Sequence, residues 1–316
     1  MAITMERSST ATLPAQAATQ RKPWRLITAS ALVGIALAML WWSNFVDGTV
    51  GEGLTSQVFG EEAEEVALTS GLAAAAFALV TGLAGTLTAC NIAVFGALAP
   101  MMGQQQSTGA RLATVVKPVA WMTGAAMATA GTYGAIGVYI DHWVPTLSDT
   151  TYGEDLSARR LQAAIVFSAI GVILIWRALA ALGLVRHPLQ RFVDRHPRTD
   201  MVMMGVLVGA FVIGRPFGLF RHLYEYAGDT NNPLIGFSTF ALQALGNILI
   251  VALVFVAIAL FSKGRVERFM TATPTRLASF TASSLLIAGT FFIVYWGLKS
   301  GSRLGWYGWP TLPWQT

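Results

Sequence analysis

Seven apolar runs, each close to the length of a membrane-crossing helix, alternate along the chain with short polar segments. They cover Leu26–Phe45, Ala67–Leu98, Val119–Ile140, Leu161–Leu182, Met201–Phe220, Leu234–Phe261 and Leu277–Leu298. A spanning helix needs about 20 mostly apolar residues, so the pattern predicts seven transmembrane helices. The second and sixth runs are long, and a helix longer than the hydrocarbon layer tilts or extends beyond it.

Composition agrees. Hydrophobic residues make up 54% and charged ones 12% of the 316 residues, whereas a soluble domain carries about a quarter charged. The chain reads as an all-α integral membrane protein. Its net charge of +5 is no sign of nucleic-acid binding, because basic residues in such proteins record which side each loop faces.

With the N-terminus placed inside, fourteen Lys and Arg fall on the inner side: Arg7, Arg21, Lys22 and Arg25 before the first run, then the loops around Arg111, Arg191 and Arg265. Five fall outside (Arg159, Arg160, Arg221, Lys299 and Arg303), while twelve of the sixteen acids lie in the outer loops. The positive-inside rule then gives a cytoplasmic N-terminus, an extracytoplasmic C-terminus and an odd number of spans. Trp41, Trp42, Trp143 and Trp296 at outer ends and Trp24 and Trp121 at inner ends form the expected aromatic belts.

Residues 1–25, rich in Ser, Thr, Ala and Gln up to Arg21, predict a disordered cytoplasmic tail. The run at 26–45 has a basic flank but no small-residue cleavage site after it, and is expected to be a retained anchor rather than a cleaved signal. Residues 299–316, with Trp306, Trp309 and Trp314 among Gly and Pro, are expected to lie along the outer interface.

The six runs of 67–298 divide into triplets, 67–182 and 201–298. Each triplet opens with an interrupted segment: "ALAPMMG" around Pro100 in the first, and Gly214-Arg215-Pro216 in the second. Three spans are an odd number, so the triplets insert in opposite orientations, and paired interruptions point to inverted repeats with a site at midplane. The plainer reading is that Gly and Pro are common in membrane helices and that Gly82 and Gly85, or Gly131, Gly134 and Gly137, simply let helices pack closely.

This layout resembles the CcdA/DsbD-like membrane thiol oxidoreductases of cytochrome c biogenesis, in which the first helix of each half breaks around a Pro-Cys element. "TACNIA" (Thr88–Ala93) falls at the first such position and "RPFGLF" (Arg215–Phe220) at the second. Ala89 and Ala93 stand where that family has prolines, and Phe217 takes the second cysteine's place. The resemblance implies thiol redox transfer across the cytoplasmic membrane, with a thioredoxin-like thiol partner.

Cys90 is the chain's one cysteine. No internal disulfide can form, so a reactive Cys90 would rely on a partner's second thiol to resolve a mixed disulfide. Burial raises a thiol's pKa unless a cation or helix N-terminus offsets it, and the alternative is a small buried hydrophobe. Arg215 lies within an apolar run, where a central arginine costs about 2.5–3.5 kcal/mol to insert. It could lower the Cys90 pKa, bind an anion or pair with carbonyls freed at the break. Gln243 and Asn247 are four apart, on one helical face. With Asn91 they could complete a polar patch, or simply hydrogen-bond between helices. Arg177 sits near an inner end and can snorkel.

No Asp or Glu lies within a predicted span, and His142, His187, His196 and His222 lie near ends or in loops. A carboxylate proton relay, bis-histidine haem ligation and a dedicated metal site are therefore not expected, and no Walker-type phosphate loop or other cofactor motif is present. Two further readings stay open: a secondary transporter of a small solute, anions included, on the same scaffold, and a non-catalytic membrane subunit of a larger complex. Membrane lipid is the one partner common to all three.

Overall fold

In the computed structural model, which describes residues 23–42, 49, 53–60, 68–85, 108–140, 145, 147–148, 150–153, 156–186, 195–196, 198–215, 218–261, 273–310 and 312–313, the apolar runs fold as helices. In chain order these are α1 (Pro23–Leu40), α2 (Gly53–Phe59), α3 (Gly71–Ala84), α4 (Thr108–Tyr139), α5 (Ala158–Ala181), α6 (Thr199–Gly214), α7 (Gly218–Asp229), α8 (Pro233–Phe261), α9 (Pro274–Phe292) and α10 (Lys299–Arg303). A π-helical stretch, Ile293–Leu298, joins the last two. A small antiparallel hairpin pairs β1 (Thr151–Tyr152) with β2 (Leu156–Ser157), Thr151 opposite Ser157.

Among the described residues, four helices are long and apolar enough to cross a bilayer: α1, α5, Pro233–Ala257 of α8, and Thr275–Arg303 running from α9 through α10. The pair α6 and α7 would make a fifth, its two parts meeting at 88°. The chain is thus mostly helical and compatible with a multi-pass membrane protein. The other two expected runs differ for identifiable reasons. Of Ala67–Leu98, α3 is a 14-residue apolar helix, and the run beyond Gly85 lies outside the described residues. The third run sits in the 32-residue α4, which contains Pro118 and is diluted by Ala, Gly and Thr.

Where helices cross, glycine sets the spacing. The main crossings are α8 on α4 and α3, α4 on α6, α5 on α9, and α1 on α9. A Cβ at Gly171 would lie 2.7 Å from the Gly289 carbonyl, and one at Gly289 would lie 2.8 Å from that of Gly171, so α5 and α9 meet backbone to backbone. Small residues allow this approach, which gains dispersion contacts in an environment where no hydrophobic force drives helices together. Hydroxyls turn back onto their own helix: Thr81 donates to the Phe77 carbonyl at 2.8 Å and Thr129 to that of Ala125 at 2.9 Å. Each such bond satisfies a hydroxyl that has no water to turn to in an apolar surrounding.

Aromatic rings fill the wider gaps. Phe167 of α5 stacks on Phe211, Phe292 and Trp296, with centroids 5.9, 5.3 and 4.9 Å away. The described part of the Trp-rich tail folds back on the start of α10. The Tyr307 hydroxyl donates to the Leu298 carbonyl, and Lys299 Nζ lies 4.5 Å above the Tyr295 ring and 5.9 Å from that of Trp309.

Candidate functional site

Thr81 and Gln243 meet where α3 crosses α8, and Arg215 reaches the end of α3 from the break after α6. At the α3–α8 crossing, a Cβ on Gly82 would overlap the Gln243 backbone carbonyl, and one on Gly246 would overlap that of Leu79. This approach carries the Gln243 side chain onto α3. Its Nε2 donates to Thr81 Oγ1 at 3.4 Å, at the long limit of a hydrogen bond. Gln243 is 1% exposed, and its Oε1 accepts no hydrogen bond among the described residues. Asn247, one turn along the same face, is also buried.

The second contribution comes from α6. The helix ends at Gly214, and Arg215 takes an extended backbone, φ −80° and ψ 116°. Pro216 follows in the sequence, and the residue before a proline is driven out of the α region. Leaving the helix, the Arg215 side chain reaches α3: Nη1 lies 2.5 Å from where a Cβ on Gly85 would stand. Its guanidinium carbon is also 5.5 Å from the centroid of the Phe220 ring, within cation–π range. A Cβ at position 85 would push that guanidinium aside. Gly85 is the C-cap of α3, so a cation rests against a helix carboxyl end, the favourable end for positive charge.

Gln162, at the end of α6, was not singled out by the sequence pattern. It projects from α5 and donates through Nε2 to the Ile213 carbonyl at 2.8 Å and to the Tyr133 hydroxyl at 2.7 Å. Ile213 lies in the last turn of α6, where carbonyls lose their helical partners. Thus Gln162 caps the end of α6 while Arg215 lies at the end of α3. The one available signal was a lone amide in the apolar run that starts at Leu161.

Of the residues singled out from sequence, Arg215, Gln243 and Gly214 lie in this region and Asn247 lies one turn along α8. Cys90, Asn91, Pro100 and Pro216 lie outside the described residues. Arg177 belongs elsewhere: it pairs with Asp200 at 2.5 Å and ties α5 to the start of α6. Among the described residues no three His, Cys, Asp or Glu side chains group in a way that could hold a metal ion. The assembly offers neutral oxygens, amide donors and one guanidinium, which suits binding and electrostatic control better than general acid–base chemistry.

No family model matches the chain, and no curated protein or solved structure matches it significantly.

Proposed function

We propose that the chain is a CcdA/DsbD-like protein of the cytoplasmic membrane, an N-terminal anchor followed by two inverted three-helix repeats, acting in thiol redox transfer or cytochrome c biogenesis. The observation that carries this reading is the contact of Arg215 with Gly85. It joins the break of the second half to the end of α3 in the first, five residues ahead of Cys90. Helix pairing supports the two halves. Exchanging α3, α4 and α5 with α6, α8 and α9 turns the α3–α8 contact into α6–α4 and maps α4–α8 and α5–α9 onto themselves, and all four are contacts of the fold.

With one cysteine, the chemistry is a monothiol relay. The Cys90 thiolate attacks the disulfide of an oxidised thioredoxin-like partner, giving a mixed disulfide and one partner thiolate. A dithiol partner then attacks the Cys90 sulfur, releasing the first partner fully reduced. The second thiolate of this dithiol partner then closes the partner's own disulfide and frees Cys90. Two electrons pass from the second partner to the first and the chain ends unchanged. In this relay Arg215 is the cation that would favour the thiolate, since a cation close to a thiol lowers its pKa.

The test is alkylation of Cys90 in native membranes over a pH series, with non-reducing gels for a mixed-disulfide adduct. An apparent pKa below about 8.5, the free-thiol value, that rises in Arg215→Gln is the expected result. Labelling only after unfolding, with no adduct, would leave Cys90 as packing and sink the redox role. The buried Thr81–Gln243 pair beside two meeting helix ends favours one second reading, a carrier of a small solute. Uptake into proteoliposomes that survives Cys90→Ser and is lost in Gln243→Leu would support it.

A further inference from the structure

Basic residues are sparse on the side that the charge rule places outside, yet four of the five there fall in two short segments: Arg159 and Arg160 in the first turn of α5, and Lys299 and Arg303 in α10. The fold brings these segments together. Along the crossing of α5 with α9, Gly171 faces Gly289, and a Cβ on Gly297 would stand 2.6 Å from Ser168 Oγ. Roughly two helical turns further the two strands of this crossing reach Arg160 on one side and α10 on the other, and α10 packs on α5. The hairpin ahead of α5 touches the same place, because a Cβ on Gly153 would lie 2.9 Å from the Leu304 Cα. Lys299 and Arg303 are four apart and share a helix face. Both Arg303 and Arg160 act on the Lys299 ammonium through their charge.

Three cations gathered at one corner repel one another, and an anion among them would relieve that. The corner's other neighbours are apolar. Lys299 Nζ rests against the Tyr295 and Trp309 rings, and Leu298, Trp306 and Tyr307 are exposed beside it. It also closes the candidate span Thr275–Arg303, at the depth where aromatic rings meet lipid headgroups. We propose that Arg160, Lys299 and Arg303 form a binding site for the phosphodiester of an anionic phospholipid, whose acyl chains lie along Leu298 and Trp306. Guanidinium forks match phosphate oxygens and an ammonium adds a point charge. The apolar flank favours a lipid over free phosphate. Charge favours an anionic lipid: the four basic residues outnumber the hairpin acids Glu154 and Asp155, and a zwitterionic headgroup would return a positive charge to the corner. The site needs neither Cys90 nor Arg215, so it stands apart from the relay and carrier readings.

The experiment is thermal unfolding of full-length protein in detergent micelles titrated with phosphatidylglycerol, phosphatidylcholine or inorganic phosphate at equal ionic strength. Wild type should gain about 2–4 °C, saturably, with phosphatidylglycerol alone, as expected for a ligand that binds the folded state. Arg160→Gln/Arg303→Gln should raise the half-saturating lipid concentration about fivefold per charge removed, and Arg160→Lys/Arg303→Lys should keep most of the affinity. Arg221→Gln, on α7 and paired with Glu225, should leave the gain unchanged. Native mass spectrometry of wild type and Arg303→Gln, counting retained phosphatidylglycerol against phosphatidylcholine, gives a readout that does not depend on Tm. Equal gains with the two lipids would overturn the proposal, and so would inorganic phosphate matching phosphatidylglycerol, which would make this a free-anion site. A glutamine double variant that binds phosphatidylglycerol as wild type does would also overturn it, leaving the arginines as partners of the hairpin acids only.

Discussion

At the residue scale, buried charge is kept only where it is paired. Arg177 is nearly buried and its partner Asp200 about one-third exposed, with Arg177 Nε and Nη1 buried and donating to no acceptor among the described residues. Removing Asp200 strands a guanidinium away from water. Asp200→Ala should therefore cost about 2 kcal/mol, less than the 3–5 of a fully enclosed pair because Asp200 is part-solvated. The double variant Arg177→Met/Asp200→Ala should recover part of that loss, as read from denaturant unfolding in detergent. Equal stability of single and double variants would show that the pair is not coupled. This pair also shows where sequence reading stops. Arg177 was legible as an arginine close enough to a helix end to snorkel, but its acid lies 23 positions away on the far side of a loop. Periodicity carries no information about that distance. Arg215 was legible as an anomaly for the same reason that it matters, a charged side chain within an apolar run. Its neighbour Gly85 was not, because only the tertiary fold brings the two together.

At the element scale, helix ends were easier to read than helix contacts. Pro216 announces the end of α6 because a proline cannot donate and restricts the residue before it. Glycine is ambiguous by comparison: the sequence does not say which glycine faces a neighbour and which faces outward. Gly82 and Gly124 illustrate this. A Cβ on Gly82 would overlap the α8 backbone at Gln243, whereas one on Gly124 meets nothing within 4 Å. Gly82→Val should force α3 and α8 apart at a cost of about 1–3 kcal/mol and displace the Thr81–Gln243 pair. Gly124→Ala, in the middle of α4, should be neutral or stabilise by up to about 1 kcal/mol, since alanine is the better helix former. Unfolding of the two variants in parallel separates the positions, and equal losses would mean that the α3–α8 crossing does not set the stability of the bundle.

At the scale of the whole molecule, orientation is the property on which the proposed function most depends, because a relay across a membrane needs its two sides defined. The charge distribution makes a specific forecast. The loop containing Arg191, Arg195 and Arg198 carries only Asp194 as an acid between His187 and Arg198, while the segment with Thr150 lies near Asp149, Glu154 and Asp155. Basic loops are retained on the cytoplasmic side and acids contribute little, so the two segments should face opposite compartments. The chain has one native cysteine, so a Cys90→Ser background gives a clean host for single reporters. Thr150 and His196 are both exposed, which makes them suitable sites. In intact cells, Thr150→Cys should react with a membrane-impermeant maleimide and His196→Cys should not, reacting only after permeabilisation. Labelling of both in intact cells would place an even number of crossings between them, which three-span repeats in opposite orientation do not allow. The exchange symmetry of the helix contacts would then be a property of packing alone, and the carrier and relay readings would both lose the inverted scaffold they share.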